Sequence, residues 1–134
     1  MFGKGEEEMT LILSEHLTEA NAQFNMAIEL IRMNLYVEIE RYEKGDPKNR
    51  FDICVLKYRG SRECIGIIEM KREVTGTMSE KEWRFWNTEQ GMRYRRVGNA
   101  HKIPVMYCAG PSEIYRVARE MKRALTPWFL RWLV

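Results

Sequence analysis

The segment CIGIIEMK, residues 64–71, is apolar for five residues and then ends in a charged tripeptide. Apolar side chains on both faces of a strand are typical of the middle of a sheet. The turn-forming segment RGSR, residues 59–62, precedes it, and a second strand-like segment, FDICVLKY, occupies residues 51–58. These segments predict an antiparallel hairpin whose second strand lies at the centre of a sheet.

Charged side chains interrupt both strands at the same end of the predicted hairpin. Asp52 stands at the start of the first strand, and Glu69 and Lys71 stand at the end of the second. Because these strand ends lie side by side in an antiparallel pair, we expect the three side chains to converge. Two carboxylates form an oxygen-rich site that suits Mg²⁺, and a nearby ammonium completes a set of groups sufficient for phosphodiester hydrolysis.

The rest of the chain predicts one helix before the hairpin and mixed elements around it. Apolar periodicity and turn residues predict a helix over about 14–33, a strand over 35–42, a loop over 43–50, a helix over 79–97, a strand near 103–108 and a helix over 113–125. The order α-β-β-β-α-β-α indicates the α/β class, with α+β as the alternative. We expect one mixed sheet of about four strands flanked by helices.

The pattern of Asp52 followed by Glu69-Met70-Lys71 resembles the D…(D/E)-x-K signature of the PD-(D/E)XK nuclease superfamily. That superfamily includes Holliday-junction resolvases, many restriction enzymes and small VRR-NUC nucleases. The element order predicted over about residues 14–125 is similar to its restriction-endonuclease-like core, although Phe51 stands where the family often has proline. The resemblance implies a DNA nuclease with Asp52, Glu69 and Lys71 as catalytic residues.

The resemblance also implies a metal cofactor, Mg²⁺ with Mn²⁺ as a possible substitute. Asp52, Glu69 and the backbone carbonyl of Met70 would hold the ion, and Lys71 would position the attacking water. The family often adds a glutamate from the first helix. Glu19 is our candidate for this role and Glu15 the alternative, and a solvated helix glutamate is an equally good interpretation.

Two residues on the helix after the signature match a further feature of some branches of the superfamily. Gln90 and Tyr94 have the spacing Q-x-x-x-Y, which places both on one helical face, where such residues face the site. We include both among the candidate catalytic residues. The alternative is that Tyr94 packs in the core and Gln90 is solvated.

Basic residues are concentrated in one part of a chain whose formal net charge is only +3. Between residues 84 and 102, five basic residues stand against one glutamate. A local basic face suits a phosphate backbone, so we predict DNA contacts from Arg93, Arg95, Arg96 and Lys102. Trp83 and Trp86, three residues apart, could stack on bases, but aromatic residues at helical spacing usually pack in the core.

The length of 134 residues favours a single nuclease domain over 1–134, with a flexible acidic lead-in at 1–13 and an apolar tail at 126–134. No apolar run approaches the roughly 18 residues of a membrane span, and the acidic N-terminus is unlike a secretory signal. The odd number of cysteines, Cys54, Cys64 and Cys108, predicts buried thiols in a reducing compartment. We therefore expect a cytoplasmic protein without membrane contact.

The tail carries six large apolar residues in the last seven positions. Monomers rarely expose such a patch, so either the protein's own sheet or a second copy should cover it. We favour a homodimer, because two active sites on a two-fold axis suit the cutting of both strands of DNA.

The function predicted from the sequence is metal-dependent hydrolysis of DNA, with endonuclease action favoured. Because the sequence contains no separate recognition domain, structure-specific cutting is favoured over sequence-specific cutting. The rival is a non-catalytic nucleic-acid-binding or assembly module with a nuclease-like fold. Action on RNA is a third possibility, because phosphate contacts do not separate the two polymers.

Overall fold

The structure is a computed structural model that describes residues 20–43, 46–71 and 78–134. Residues 20–32 are helical and are called α1. The elements that follow are β1 (Tyr36–Glu43), β2 (Asp46–Leu56), β3 (Cys64–Met70), α2 (Met78–Trp86), α3 (Glu89–His101), β4 (Val105–Cys108) and α4 (Ile114–Leu125). Short 3₁₀ segments at Pro111–Glu113 and Trp128–Leu133 flank α4.

The four strands form one mixed sheet in the order β1-β2-β3-β4. β1 and β3 run antiparallel to β2, and β4 runs parallel to β3 after the crossover through α2 and α3. The predicted hairpin and the α/β class with a four-stranded mixed sheet are confirmed. Ile53 pairs with Ile68, which puts Asp52 and Glu69 one step further toward the same end of the hairpin.

Helices cover both faces of the sheet. Because side chains alternate along each strand, the sheet contributes apolar residues to both faces. Ile53 and Ile68 face a core that α1 and α4 complete, with Met26, Leu30 and Met121 among its members. Cys54 and Ile67 face a second core that α2 and α3 complete. Asp52 shares the alternation of Cys54, and Glu69 that of Ile67, so both carboxyls point toward the α2–α3 side.

Strand β2 begins earlier than the sequence predicted. The loop predicted over 43–50 is wrong for Glu43, which ends β1, and for residues 46–50, which belong to β2. Tyr42 faces Arg50, and Glu43 faces Asp46 across a register shift. The pairing partner outweighs the local turn preference of these residues, as is common in sheets. The carbonyl of Arg50 thereby comes to lie at the sheet end that holds Asp52.

The helix predicted over 79–97 is in fact two helices, separated at Asn87 and Thr88. Thr88 is extended, with φ −83° and ψ 161°. Its hydroxyl accepts a hydrogen bond from the amide of Gly91 at 3.0 Å and donates one to the carbonyl of Phe85 at 2.6 Å. This one side chain closes α2 and caps α3, because threonine competes well for helix-terminal backbone groups.

The structure shows the state of the three cysteines and the length and apolarity of the helices. Cys54, Cys64 and Cys108 form no disulfide, and Cys54 and Cys108 are buried while Cys64 is half-buried. In the part of the chain that the structure describes, no helix has the length and apolarity that a membrane crossing requires. Residues 1–19, including Glu15 and Glu19, lie outside the described residues.

We predict that Gly91→Ala destabilises the fold. A Cβ at this position would lie 1.9 Å from the carbonyl oxygen of Phe85 and 2.9 Å from the Cα of Trp86, so α3 must move away from α2. Overpacking of this kind costs about 1–3 kcal/mol. Alanine also gains about 1 kcal/mol over glycine from its higher helix propensity, and we expect the cost to exceed this gain. Urea denaturation followed by circular dichroism measures the loss. Met92→Ala, at the exposed neighbouring position, is the control and should be close to the wild type in stability. A Gly91→Ala protein as stable as the wild type would contradict the close contact between α2 and α3 at this position.

Candidate active site

Two buried carboxyl groups meet at one end of the β2–β3 hairpin. Asp52 is 8% exposed and Glu69 is 2% exposed. The Oδ2 atom of Asp52 accepts a hydrogen bond from the backbone amide of Met70 at 2.8 Å. This bond fixes the Asp52 carboxyl across the hairpin, next to the residue that precedes Met70, so the two carboxyls are held side by side.

Glu69 has a charged and a neutral hydrogen-bond donor. Its Oε1 atom lies 3.0 Å from Nζ of Lys71, and its Oε2 atom accepts a hydrogen bond from the hydroxyl of Tyr94. The same hydroxyl lies 3.1 Å from the carbonyl oxygen of Arg50. Tyr94 is fully buried and its ring packs against Phe51. Tyr94 therefore does both things that the sequence left open: it packs in the core and it contacts the site.

Lys71 reaches the site from the solvent side. Its side chain is 41% exposed, whereas that of Glu69 is buried. Nζ of Lys71 lies 6.0 Å from the centroid of the Phe85 ring, and that ring stacks on Tyr107 at 4.8 Å. Lys71 thus pairs with a buried carboxylate and keeps part of its side chain in water, where it can meet a substrate.

The electrostatic environment of the two carboxyls is asymmetric. Burial, together with the charge of Glu69, raises the pKa of Asp52 to about 7, and the Met70 amide and Lys71 offset this only in part. Glu69 receives the Lys71 ammonium and the Tyr94 hydroxyl, whereas Asp52 has the Met70 amide as its backbone donor, and its raised pKa keeps a proton on Asp52 up to near neutral pH. Burial and the charge of Glu69 raise the pKa of Tyr94 above its ordinary range, which keeps its hydroxyl a donor.

The donor set is one that a divalent cation can use. Among residues 20–43, 46–71 and 78–134, no three His, Cys, Asp or Glu side chains form a metal-binding group. Mg²⁺ usually needs only one or two carboxylates, because water and substrate phosphates complete its octahedron. A bound cation would also offset the burial and the charge of Glu69 that together raise the pKa of Asp52. The two buried carboxylates therefore have the chemistry that such an ion requires.

The other predicted residues fall into two groups. Gln90 is half-buried one turn before Tyr94, at a spacing that puts both on the same face of α3. Arg93 is half-buried, and its guanidinium lies 5.4 Å from the centroid of the Tyr94 ring. The remaining basic residues are exposed on α3 or at its end: Arg95, Arg96 and Lys102.

Three groups that position the site residues were not predicted from the sequence. Phe85 carries the Lys71 side chain, Thr88 caps the helix that holds Tyr94, and the carbonyl of Arg50 lies beside the Tyr94 hydroxyl. The pair Thr88-Glu89 was a readable signal, because threonine followed by an acidic residue is a common helix start. Nothing in the sequence points to Phe85 or to a backbone carbonyl. The prediction that Trp83 belongs to a core stripe is wrong, because this side chain is 68% exposed.

Comparison with known proteins identifies no relative: no protein-family model, no curated protein and no solved structure matches this chain.

We predict that Asp52→Asn stabilises the metal-free protein at neutral and higher pH. The pKa of Asp52 is 3.8 ordinarily and about 7 in the fold. The folded state therefore holds a proton that the unfolded state has released, and the free energy of unfolding falls as pH rises between these two values. The amide oxygen of asparagine can still accept the Met70 N–H. We expect a gain of about 1–3 kcal/mol near pH 8, which is below the about 4 kcal/mol that the full shift is worth, because water entry reduces it.

Urea titrations in EDTA at several pH values test this prediction. The difference between the wild type and Asp52→Asn cancels the titrating groups that do not interact with Asp52, so it should grow from about pH 4 to about pH 7 and then level off. A difference that stays constant with pH, or that shrinks as pH rises, would show that Asp52 carries no retained proton.

Proposed function

We propose that this protein is a divalent-metal-dependent DNA nuclease of the PD-(D/E)XK kind. The observation that carries the proposal is the pair of buried carboxyls, Asp52 and Glu69, at one end of two antiparallel strands, with the Lys71 ammonium 3.0 Å from Glu69. A sheet of three antiparallel strands followed by a parallel fourth strand is compatible with a restriction-endonuclease-like core.

Asp52, Glu69 and the carbonyl of Met70 would hold Mg²⁺ or Mn²⁺, and Glu19 remains our candidate for an outer ligand from the first helix. When bound, the ion supplies activation of water and neutralisation of charge at the phosphate. The buried position of the carboxylates supports this assignment, because electrostatic interactions are stronger where water is excluded.

The chain's own residues would divide the remaining work. Lys71, half-exposed beside Glu69, orients a water molecule or donates to a phosphate oxygen of the substrate. Tyr94 is a positioning residue, because its buried hydroxyl holds one oxygen of Glu69. Gln90, one turn earlier, would contact the substrate or the attacking water.

Exposed basic side chains would hold the DNA. Arg95, Arg96 and Lys102 are exposed, and the half-buried Arg93 packs its guanidinium against the Tyr94 ring. Contacts of these groups with phosphates give affinity without sequence readout. We therefore propose structure-specific rather than sequence-specific cutting, with endonuclease action favoured.

We also propose that the nuclease acts as a homodimer through its apolar tail. Among the described residues, the Trp128–Leu133 segment and Val134 contain no buried side chain, and Trp132 is 79% exposed. This exposure favours the dimer over the alternative, in which the tail docks on the protein's own sheet. A second copy would cover the six apolar side chains and would supply a second active site for the second DNA strand.

Cleavage assays with two matched pairs of variants test the nuclease proposal. We expect Mg²⁺-dependent cutting of labelled linear, flapped or four-way DNA, and a loss of about 100-fold or more in Glu69→Gln and in Lys71→Ala. The controls are Glu63→Gln and Lys57→Ala, an exposed pair 3.4 Å apart at the other end of the hairpin. They should cut at the wild-type rate.

Three outcomes of these assays are informative. Wild-type cutting by Glu69→Gln would remove Glu69 from the chemistry. Normal turnover with weak DNA binding in Lys71→Ala would make Lys71 a phosphate anchor instead. Wild-type protein that binds DNA but cuts none with Mg²⁺ or Mn²⁺ would indicate the rival, a non-catalytic nucleic-acid-binding or assembly module.

Light scattering tests the dimer. We expect a mass twice the 16.0 kDa of the chain at micromolar concentration, falling to the single mass in Trp132→Asp, because a charge in an apolar interface is costly. Tyr58→Asp, an exposed aromatic residue in the β2–β3 turn, is the control and should remain a dimer. A single-chain mass for the wild type would refute the proposal.

A further inference from the structure

A groove is formed by α2, α3 and the start of β4. We call it the α2–α3 groove and define it by Trp83, Trp86, Arg95, Asn99, Ile103 and Val105, which line it. Its volume is about 630 Å³, within the range of about 300–1,000 Å³ of clefts that hold small organic groups. It therefore has room for a planar ring.

Trp83 is the unusual member of this groove. Its side chain is 68% exposed although it belongs to a helix that packs on the sheet. Trp86, one turn further along α2, is half-buried, and its ring packs at 4.8 Å against Phe85. The indole Nε1 of Trp86 also lies 3.5 Å from a carboxylate oxygen of Glu82. One tryptophan is thus anchored in the fold and the other presents an open ring.

The groove lies in a basic part of the chain. Arg95 lines it, and between residues 82 and 102 five basic residues stand against the acidic Glu82 and Glu89. An exposed indole beside an arginine complements a base joined to a phosphate, because every base has a face that can stack and every nucleotide carries a negative charge. A neutral apolar partner would leave Arg95 without a counter-charge.

The groove and the candidate site lie on the same face of the sheet. Phe85 links them, since its ring packs on Trp86 and lies 6.0 Å from Nζ of Lys71. Val105 pairs with Ile67, two residues before Glu69, which is roughly 7 Å along the strand. A nucleic-acid strand that leaves the carboxylates can therefore enter the groove.

We infer that the α2–α3 groove binds an unpaired nucleobase of a DNA substrate, which stacks on Trp83 while Arg95 contacts the adjoining phosphate. The inference rests on the proposed nuclease function and narrows its substrate to DNA with a single-stranded part. A base inside a duplex is stacked on both faces, so an unpaired base is the one that the open indole can accept.

Equilibrium binding in EDTA, where no metal supports cutting, tests the groove. The probes are a duplex with a thymidine overhang, the same duplex with an abasic overhang and a blunt duplex. We expect the wild type to prefer the thymidine overhang to the abasic one by about 10-fold, because stacking on an aromatic side chain is worth this much per base. Trp83→Ala should remove that preference and leave blunt-duplex binding unchanged.

Two further variants keep the test specific. Trp83→Phe should restore most of the preference, because phenylalanine still offers a ring. Tyr58→Ala, which removes a side chain with 60% exposure from the far end of the hairpin, should keep the preference in full. Equal binding of the thymidine and abasic overhangs by the wild type would overturn the inference, and so would an equal loss on all three probes in Trp83→Ala.

Cutting assays separate failure of the inference from failure of the proposed function. If the wild type cuts DNA with Mg²⁺ but shows no base-dependent binding, the nuclease proposal stands and the groove inference falls. If base-dependent binding through Trp83 is present but no DNA is cut, the groove inference stands and the nuclease proposal falls.

Discussion

A carboxylate as deeply buried as Glu69 costs several kcal/mol unless charged and hydrogen-bonded partners surround it. Its two oxygens meet Lys71 and Tyr94, which come from the strand end and from α3. The need to satisfy this one group fixes α3 over β3. The Thr88 cap and the glycine at position 91 serve this placement of α3, because both allow α3 to begin close to the end of α2.

The two faces of the sheet have different tasks. On the α1–α4 side the buried residues are almost all aliphatic or methionine, and they form an apolar scaffold. On the α2–α3 side aromatic residues surround the carboxyls, and Phe85 touches both the Lys71 side of the site and Trp86. The carboxyl groups and the aromatic rings around them are thus concentrated on one face, while the other face holds most of the buried aliphatic and methionine side chains. This separation lets a small domain hold the buried carboxylate of Glu69 together with its partly exposed partner, Lys71.

Much of the sheet and half of the site could be read from the sequence. An apolar run that ends in Glu69 and Lys71, with Asp52 upstream, is a local pattern whose consequence follows from strand alternation alone. The start of β2 and the break between α2 and α3 could not be read in this way. Residues 46–50 have turn preferences that pairing with β1 overrides, and Thr88 acts through bonds to Phe85 and Gly91 that only the folded chain brings together.

The sequence by itself determined the α/β class, the antiparallel hairpin and the convergence of Asp52, Glu69 and Lys71, because these depend on short-range periodicity. Only the tertiary structure decided that Tyr94 reaches Glu69, that the pKa of Asp52 is raised, and that Trp83 is exposed while Trp86 is anchored. The physical reason is distance along the chain. Burial and hydrogen bonding at the site depend on which groups meet across 18 to 44 residues of chain, and no local pattern encodes that meeting.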